Sequence, residues 1–485
     1  MVASWVADEM RGVDLKDKRL DARLKEVLSQ LGSRPTASIP AACGGHAEMT
    51  AAYRLFDNEK ATWSALLQPH GAATRKRLAR EAVVVVAQDT TEIDMTRPEQ
   101  PVVGAGPLAG PSRRGAFLHL LHAFTPDGTP LGTLDSVAWT RDEEVRCVLM
   151  TRGERASTPI EKKESFRWVD MLHRAQTEAV HCPATQLVCV ADSEADIYEL
   201  LVEGMAEPRR MDWIVRACQD RALQPGNGGE KSEAAHVRAH VFGQAVLFTQ
   251  AIRVRGRKTK IGCKTNRRNQ PRESRDAQVE VRAARATLRP PWRGDRQLPE
   301  VTVNVVLVRE VDPPRDDEPV EWLLLTSLPI EGMEQVRQVI QYYCVRWMIE
   351  VLFRTLKSGC RVEDRRFEHI DRMMSCLAVY LIVAWRTLYV CRLGRSCPEI
   401  SAEAVFEPAE WKSAWKIVHR TPLPSQPPPL ETMVRLIARL GGYVDRKGNG
   451  PPGPQTLWIG LQRMHDFALC WELFGPDSRA GPKLV

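Results

Sequence analysis

The chain has 485 residues, 43% of them hydrophobic and 27% charged, a globular composition that excludes collagen-like and disordered chains and predicts about three domains. Lys and Arg outnumber Asp and Glu by 68 to 61, a net charge of +7 that suits a phosphate-bearing partner without requiring one. The twelve cysteines include no CxxC pair, which excludes a zinc ribbon or a thioredoxin motif.

Residues 1–75 read as helical, with Ala-rich stretches and charges where a signal peptide needs its apolar region. Val83-Val84-Val85-Val86-Ala87 then reads as a strand buried on both faces, with Asp89 ending it. Strands follow over 116–124 and 130–139, joined by the turn residues Pro126-Asp127-Gly128. A helix over about 162–179, a buried strand over 186–191 ending in Asp192, a helix over about 194–202 and a strand over 212–218 come next. Three neighbouring strands followed by alternating helices and strands are the order of a ribonuclease-H-like mixed α/β sheet. Cys189, Cys218 and Cys376 lie in apolar runs, where a free thiol acts as a small hydrophobe.

Residues 220–328 differ in composition. Between Ile252 and Asp276 ten Lys and Arg face two acids, a local excess of +8. The rest alternates at period two, as in Val301-Thr302-Val303-Asn304-Val305, so the segment reads as a β-rich insertion with a basic loop or hairpin. His236 and His240 have i, i+4 spacing but lack the Glu of a zinc-protease motif, and read as surface histidines. Helical periodicity returns from Glu331 to Arg392. A Pro-rich connection over 422–429 lies within the final helical part, which holds Trp411, Trp415, Trp458 and Trp471. The longest apolar run, Cys376–Trp385, stops at Arg386, short of the ~20 residues of a membrane span, so a cytoplasmic chain without a membrane partner is expected.

Three acids stand out by position. A carboxylate straight after a buried strand is costly unless it reaches solvent or a cation, and strand ends are where ligands bind in open α/β sheets. Asp89 and Asp192 both fit that description, although Asp is also a common cap and turn former. The third acid, Glu350, lies in Tyr343-Cys-Val-Arg346-Trp-Met-Ile-Glu350-Val-Leu-Phe-Arg354-Thr-Leu-Lys357. Spacings of three, four and seven put Tyr343, Arg346, Glu350 and Lys357 on one face of one helix, with Met348, Leu352 and Phe353 on the other. Such a polar face can equally be solvated, with Arg346–Glu350 and Glu350–Arg354 as ordinary surface pairs.

Tyr-x2-Arg-x3-Glu-x6-Lys after two strand-end aspartates resembles the signature of the bacterial insertion-sequence DDE transposases, in particular the Tn-five-like (insertion-sequence-four) family. Asp192-Ser193-Glu194-Ala195-Asp196-Ile197 and Trp322-Leu-Leu-Leu-Thr-Ser327 resemble two further blocks of that family, and Glu410-Trp411 and Leu440-Gly441-Gly442-Tyr443 resemble its C-terminal segment. Ser193 departs from the pattern, since a basic residue can stand there in relatives.

The resemblance implies a helical DNA-binding domain over 1–75 and a ribonuclease-H-like core over 76–219 and 329–395. It further implies the β-rich insertion over 220–328 and a helical dimerisation domain over 396–485. Asp89, Asp192 and Glu350 would be catalytic and would bind two Mg²⁺ ions, with Mn²⁺ able to substitute, about 4 Å apart. Tyr343, Arg346, Arg354, Lys357, Arg216 and Trp322 would contact DNA, Trp322 by stacking on a base flipped from the element end. By default Trp322 is as readily a core residue. Partners would be transposon-end DNA, target DNA and a second copy of the chain. The activity implied is cut-and-paste transposition through a hairpin intermediate; the alternative is an inactive, transposase-derived DNA-binding inhibitor. Lys18, Arg19, Arg23 and the basic insertion are further candidate DNA contacts or solvated charges.

Overall fold

The computed structural model describes residues 2–476 except 98, 111, 143–150, 225–234, 255, 257–270, 272, 316, 318 and 447–449. Five helices open the chain: α1 (Ser4–Glu9), α2 (Lys18–Ser33), α3 (Ile39–Cys43), α4 (His46–Phe56) and α5 (Trp63–Leu78). Strands β1 (Val83–Asp94), β2 (Gly106–Pro107), β3 (Arg114–Phe124) and β4 (Pro130–Trp139) follow. Next come α6 (Arg152–Ser157), α7 (Phe166–His181), β5 (Gln186–Ala191), α8 (Tyr198–Met205), β6 (Asp212–Arg216) and α9 (Val237–Phe242). Four further strands, β7 (Phe248–Val254), β8 (Arg275–Leu288), β9 (Val301–Glu310) and β10 (Glu321–Thr326), precede α10 (Met333–Val345) and α11 (Trp347–Arg354). Helices α12 (Ile370–Ser396), α13 (Pro408–His419), α14 (Leu430–Leu440) and α15 (Pro454–Phe474) complete a mixed α/β chain with helical ends.

The chain divides into two units: Met1–Val84, Asp89–Val148 and Trp347–Val485 form one, and Val85–Gln88 with Leu149–Arg346 the other. In the first unit β3 pairs antiparallel with β2 and β4 and lies beside β1. Side-chain caps start the early helices: Asp17 accepts from the Arg19 N–H, Ser38 from Ala41 and Thr62 from Ala65. A buried polar cluster anchors α1. Glu9 accepts from His70 Nδ1 at 2.5 Å and from Arg77 at 2.8 Å, while the Thr133 N–H donates to His70 Nε2 at 3.0 Å. Each buried polar group there has a partner from another element, which offsets its desolvation. The C-terminal helices share one apolar core, in which Val390 and Cys391 of α12 meet Trp411, Leu430, Ile437, Leu457 and Met464. Among the described residues α12 alone is long and apolar enough to cross a membrane, and it is a buried core helix.

In the second unit the strand order is β1-β5-β6-β10-β9-β8-β7, with β1 contributing Val85–Gln88. Strands β5 and β6 run parallel; β6 with β10, and each successive pair out to β7, run antiparallel. Ala191 pairs with Val215, and Leu324 with Arg216. The ends of β5 and β6 and the start of β10 therefore share one end of the sheet.

Three local expectations need correction. Strand β1 runs on through Thr90, Thr91 and Ile93 to Asp94, so Asp89 lies inside the strand rather than at its end; β-branched residues after it keep the chain extended. The signature helix is not one helix. The Arg346 N–H bonds to the Tyr343 carbonyl, a tight i→i−3 turn between α10 and α11, and Thr355–Gly359 form a π turn. Strand β6 stops at Arg216, which leaves Cys218 exposed rather than in an apolar run.

Candidate nucleic-acid and catalytic site

Each unit holds part of the expected site. In the first, Asp89 is 8% exposed on β1, and its Oδ1 accepts the Thr90 N–H at 2.7 Å. Glu350 is half-buried on α11 and Arg354 is exposed one turn on. Lys357 sits in the π turn, 3.7 Å from Glu363, which also accepts the Asp94 N–H at 3.0 Å. The π turn shifts Lys357 off the α-helical register assumed from the spacing.

The second unit brings five expected residues together. Asp192 follows β5 and caps a 3-10 turn over Ser193–Ala195, its Oδ1 accepting the Glu194 N–H at 2.8 Å. Arg216 ends β6 and Trp322 stands near the start of β10. Tyr343 and Arg346 are both buried. Burial pushes the Tyr343 phenol up; Arg346 and Arg216 pull it down and Asp192 adds to the rise, so all three charges act on this one ring. The Trp322 ring lies edge-on to it, and the Arg346 guanidinium is 6.0 Å from its centroid. The result is one carboxylate, two guanidiniums, a phenol and an indole at the shared end of β5, β6 and β10. Cations there suit phosphate oxygens, and the indole suits an unstacked base.

Sequence reasoning missed Asp196. It is 3% exposed and paired with the buried Arg221; its only sequence signal was membership of the block that begins at Asp192. Within neither unit, among the described residues, do three His, Cys, Asp or Glu side chains form a metal-holding group. The three expected acids are divided between the units: Asp89 and Glu350 in one, Asp192 in the other. As a donor set, three carboxylates are hard oxygen ligands, the type that Mg²⁺ and Mn²⁺ take.

The other candidate contacts are less concentrated. Arg19 pairs with Asp17 at 3.2 Å and Arg23 with Glu26 at 3.4 Å, while Lys18 is exposed. Most of the basic run between Arg253 and Arg275 lies outside the described residues. Of its two ends, Arg253 pairs with Asp276, and Arg275 with Glu310 and Asp317. His236 is exposed and His240 half-buried, its Nε2 3.1 Å from the Arg285 carbonyl oxygen.

Comparison with known proteins gives three family matches. Residues 2–61 match the transposase DNA-binding model, residues 161–384 the transposase DDE domain, and residues 382–471 the transposase Tn5 dimerisation domain. The DDE match includes Asp192 and Glu350; Asp89 precedes it. A solved structure, the cryo-EM structure of the piggyBac transposase synaptic complex with hairpin DNA, is similar over 78% of this chain and 67% of that one. At 9% identity and a TM-score of 0.34 that likeness carries no argument. The three family matches, laid in order along most of the chain, do: it belongs to the Tn5-like DDE transposases, DNA transposases with DNA-binding, DDE and dimerisation domains.

Proposed function

We propose that the chain is a catalytically active cut-and-paste transposase, which cleaves element ends through a hairpin intermediate and joins the 3′ ends to target DNA. The observation that carries this reading is the cluster of Asp192, Arg216, Tyr343 and Arg346 beside Trp322. A DNA-binding inhibitor needs phosphate contacts but gains nothing from a carboxylate among them, since it would repel the backbone.

Asp89, Asp192 and Glu350 would together hold the divalent ions, an assignment that rests on the family pattern. Bound there, Mg²⁺ or Mn²⁺ would acidify an attacking water or DNA 3′-hydroxyl and compensate charge at the leaving oxygen. Arg216, Arg346, Arg354 and Lys357 hold the phosphates flanking the scissile bond, and Tyr343 donates its phenolic proton to one of them. Trp322 receives a base extruded as the backbone bends into the hairpin, which offsets part of the cost of unstacking. The surrounding architecture would be a ribonuclease-H-like core, with DNA binding by residues 1–75, the insertion over 220–328 and dimerisation by residues 396–485. The strand order β2-β3-β1 of the first unit and β1-β5-β6 of the second favour such a core.

The test is cleavage of labelled duplex carrying the element's own terminal sequence. Nicked and then hairpin products that appear only with Mg²⁺ or Mn²⁺ support the reading. Tight end binding with no product in either metal would make the chain a DNA-binding inhibitor.

A further inference from the structure

Asp196 engages the chain after β6 with every oxygen it has. Its Oδ2 accepts the N–H groups of Cys218 and Gln219, both at 2.8 Å. Its Oδ1 accepts Arg221 Nε at 3.1 Å, and its backbone oxygen accepts Arg221 Nη2 at 2.8 Å and Gln219 Nε2 at 3.2 Å. The two side chains are 0% and 7% exposed, so the pair is dry. A buried carboxylate with this many donors is fixed in position, because any movement leaves several groups unpaired.

Two residues of the proposed site leave from the two sides of this joint. On one side, Asp192 is four residues upstream, across a 3-10 turn whose last N–H, that of Asp196, bonds to the Ser193 carbonyl at 3.3 Å. On the other side, Arg216 is two residues before Cys218, and between them the Ala217 N–H bonds to the Leu323 carbonyl at 2.7 Å, next to Trp322. One carboxylate thus ties down both the turn that presents Asp192 and the strand exit that presents Arg216. The joint also reaches the insertion. Arg221 lies 5.6 Å from the Tyr198 ring centroid, and the Tyr198 hydroxyl donates to the carbonyls of Leu288 and Pro299.

We infer that Asp196, held by Arg221, is a positioning residue that sets Asp192 and Arg216 against each other, and that Tyr198 extends this control to the β8–β9 connection. The inference rests on the proposed function in one respect, the catalytic role of Asp192. Groups that orient a metal ligand typically contribute about 10- to 100-fold to activity or metal affinity. Asp196 acts on Asp192 in the same way, through the backbone of a four-residue turn.

The experiment compares three full-length variants, Asp192→Ala, Asp196→Asn and the double variant Asp196→Asn with Arg221→Met. The double variant removes both charges, so no guanidinium is left buried and unpaired. Four readouts are taken: thermal melting, end-DNA affinity, single-turnover cleavage at saturating DNA in Mg²⁺ and in Mn²⁺, and amide hydrogen exchange. A positioning role gives a folded protein with end affinity within about threefold of the parent. Its cleavage in Mg²⁺ falls about 10- to 100-fold and recovers partly in Mn²⁺. Exchange quickens at 192–197, at 217–221 and at the β8–β9 connection over 288–300, and not elsewhere. Parent-like cleavage and exchange in a folded variant overturn the inference, and so does failure of both Asp196 variants to fold, which would make the pair a folding element only. Asp192→Ala separates the two claims: if it still cleaves, the catalytic reading of Asp192 is wrong, whatever the Asp196 variants do.

Discussion

The indole of Trp322 meets the ring of Tyr343 edge-on, with centroids 5.6 Å apart and an interplanar angle of 63°. Tyr343 is 5% exposed, while Trp322 is only half-buried, so one partner is fixed and the other is braced against it at the rim of the sheet. A stacking platform, the role proposed for Trp322, would use this contact, which holds the indole in one orientation without enclosing it.

Trp322→Ala should therefore spare folding and first-strand nicking but slow the hairpin step. Stacking of a base on an aromatic ring contributes about 1–3 kcal/mol, which corresponds to a slowing of about 5- to 150-fold. Nick and hairpin products quantified from one labelled end decide it. An equal loss of both products, with a fall in melting temperature, would place Trp322 in the core.

Asp89→Ala, Asp192→Ala and Glu350→Ala should each abolish cleavage while end binding changes little, because phosphate contacts by cations dominate affinity. EDTA should stop the parent protein and added Mg²⁺ restore it. Paired gel-shift and cleavage assays check this; activity surviving in all three variants would refute the metal-ligand assignment.

Self-association should be tested by point substitution rather than by deletion, because α13 to α15 cover part of α12 and their removal would open the core. Leu473 and Phe474, at the end of α15, are 54% and 75% exposed and are not part of that shared core. Leu473→Asp with Phe474→Asp should weaken self-association about tenfold or more with little change in melting temperature. Sedimentation equilibrium provides the reading, and an unchanged dimer would place the interface elsewhere.

Glu410 gives a pH signature. Burial pushes its carboxyl up from 4.5 to about 7, against the opposing pull of its hydrogen bond from the Glu407 N–H and of Arg386. A carboxyl raised on folding contributes its stability below pH 4.5 and loses it as pH rises through 7. Glu410→Gln keeps an oxygen for the Glu407 N–H and removes the titration. It should raise stability at pH 8 by about 1–3 kcal/mol and change it little at pH 4. Urea melts at the two pH values check the sign; equal effects at both would mean that Glu410 does not titrate in this range.

Much of the sheet was legible from sequence because its strands are runs of β-branched and apolar residues: Pro130–Trp139 and Gln186–Ala191 fall where the pattern places them. The position of Asp89 is not legible, because a single polar residue after an apolar run marks a strand end only when the residues beyond it are not β-formers, and Thr90, Thr91 and Ile93 extend the strand past it. The division at Arg346 left no trace in the spacing, since its backbone stays right-handed helical at φ −47° and ψ −36°. The Asp196–Arg221 pair was illegible for a different reason. Its members are 25 residues apart, and only the reversal of the chain after β6 makes them neighbours.

Helix α12 has a consequence for the order in which the protein is made. The apolar stretch of this 27-residue helix is buried by the rest of the chain and would lie open to water if it emerged unescorted. Much of what packs on it, α2, α5 and β4, is encoded upstream, and α14 follows downstream. When α12 leaves the ribosome, α2, α5 and β4 have already been synthesised, so a product translated from an internal start beyond β4 would lack them and leave the apolar face of α12 uncovered.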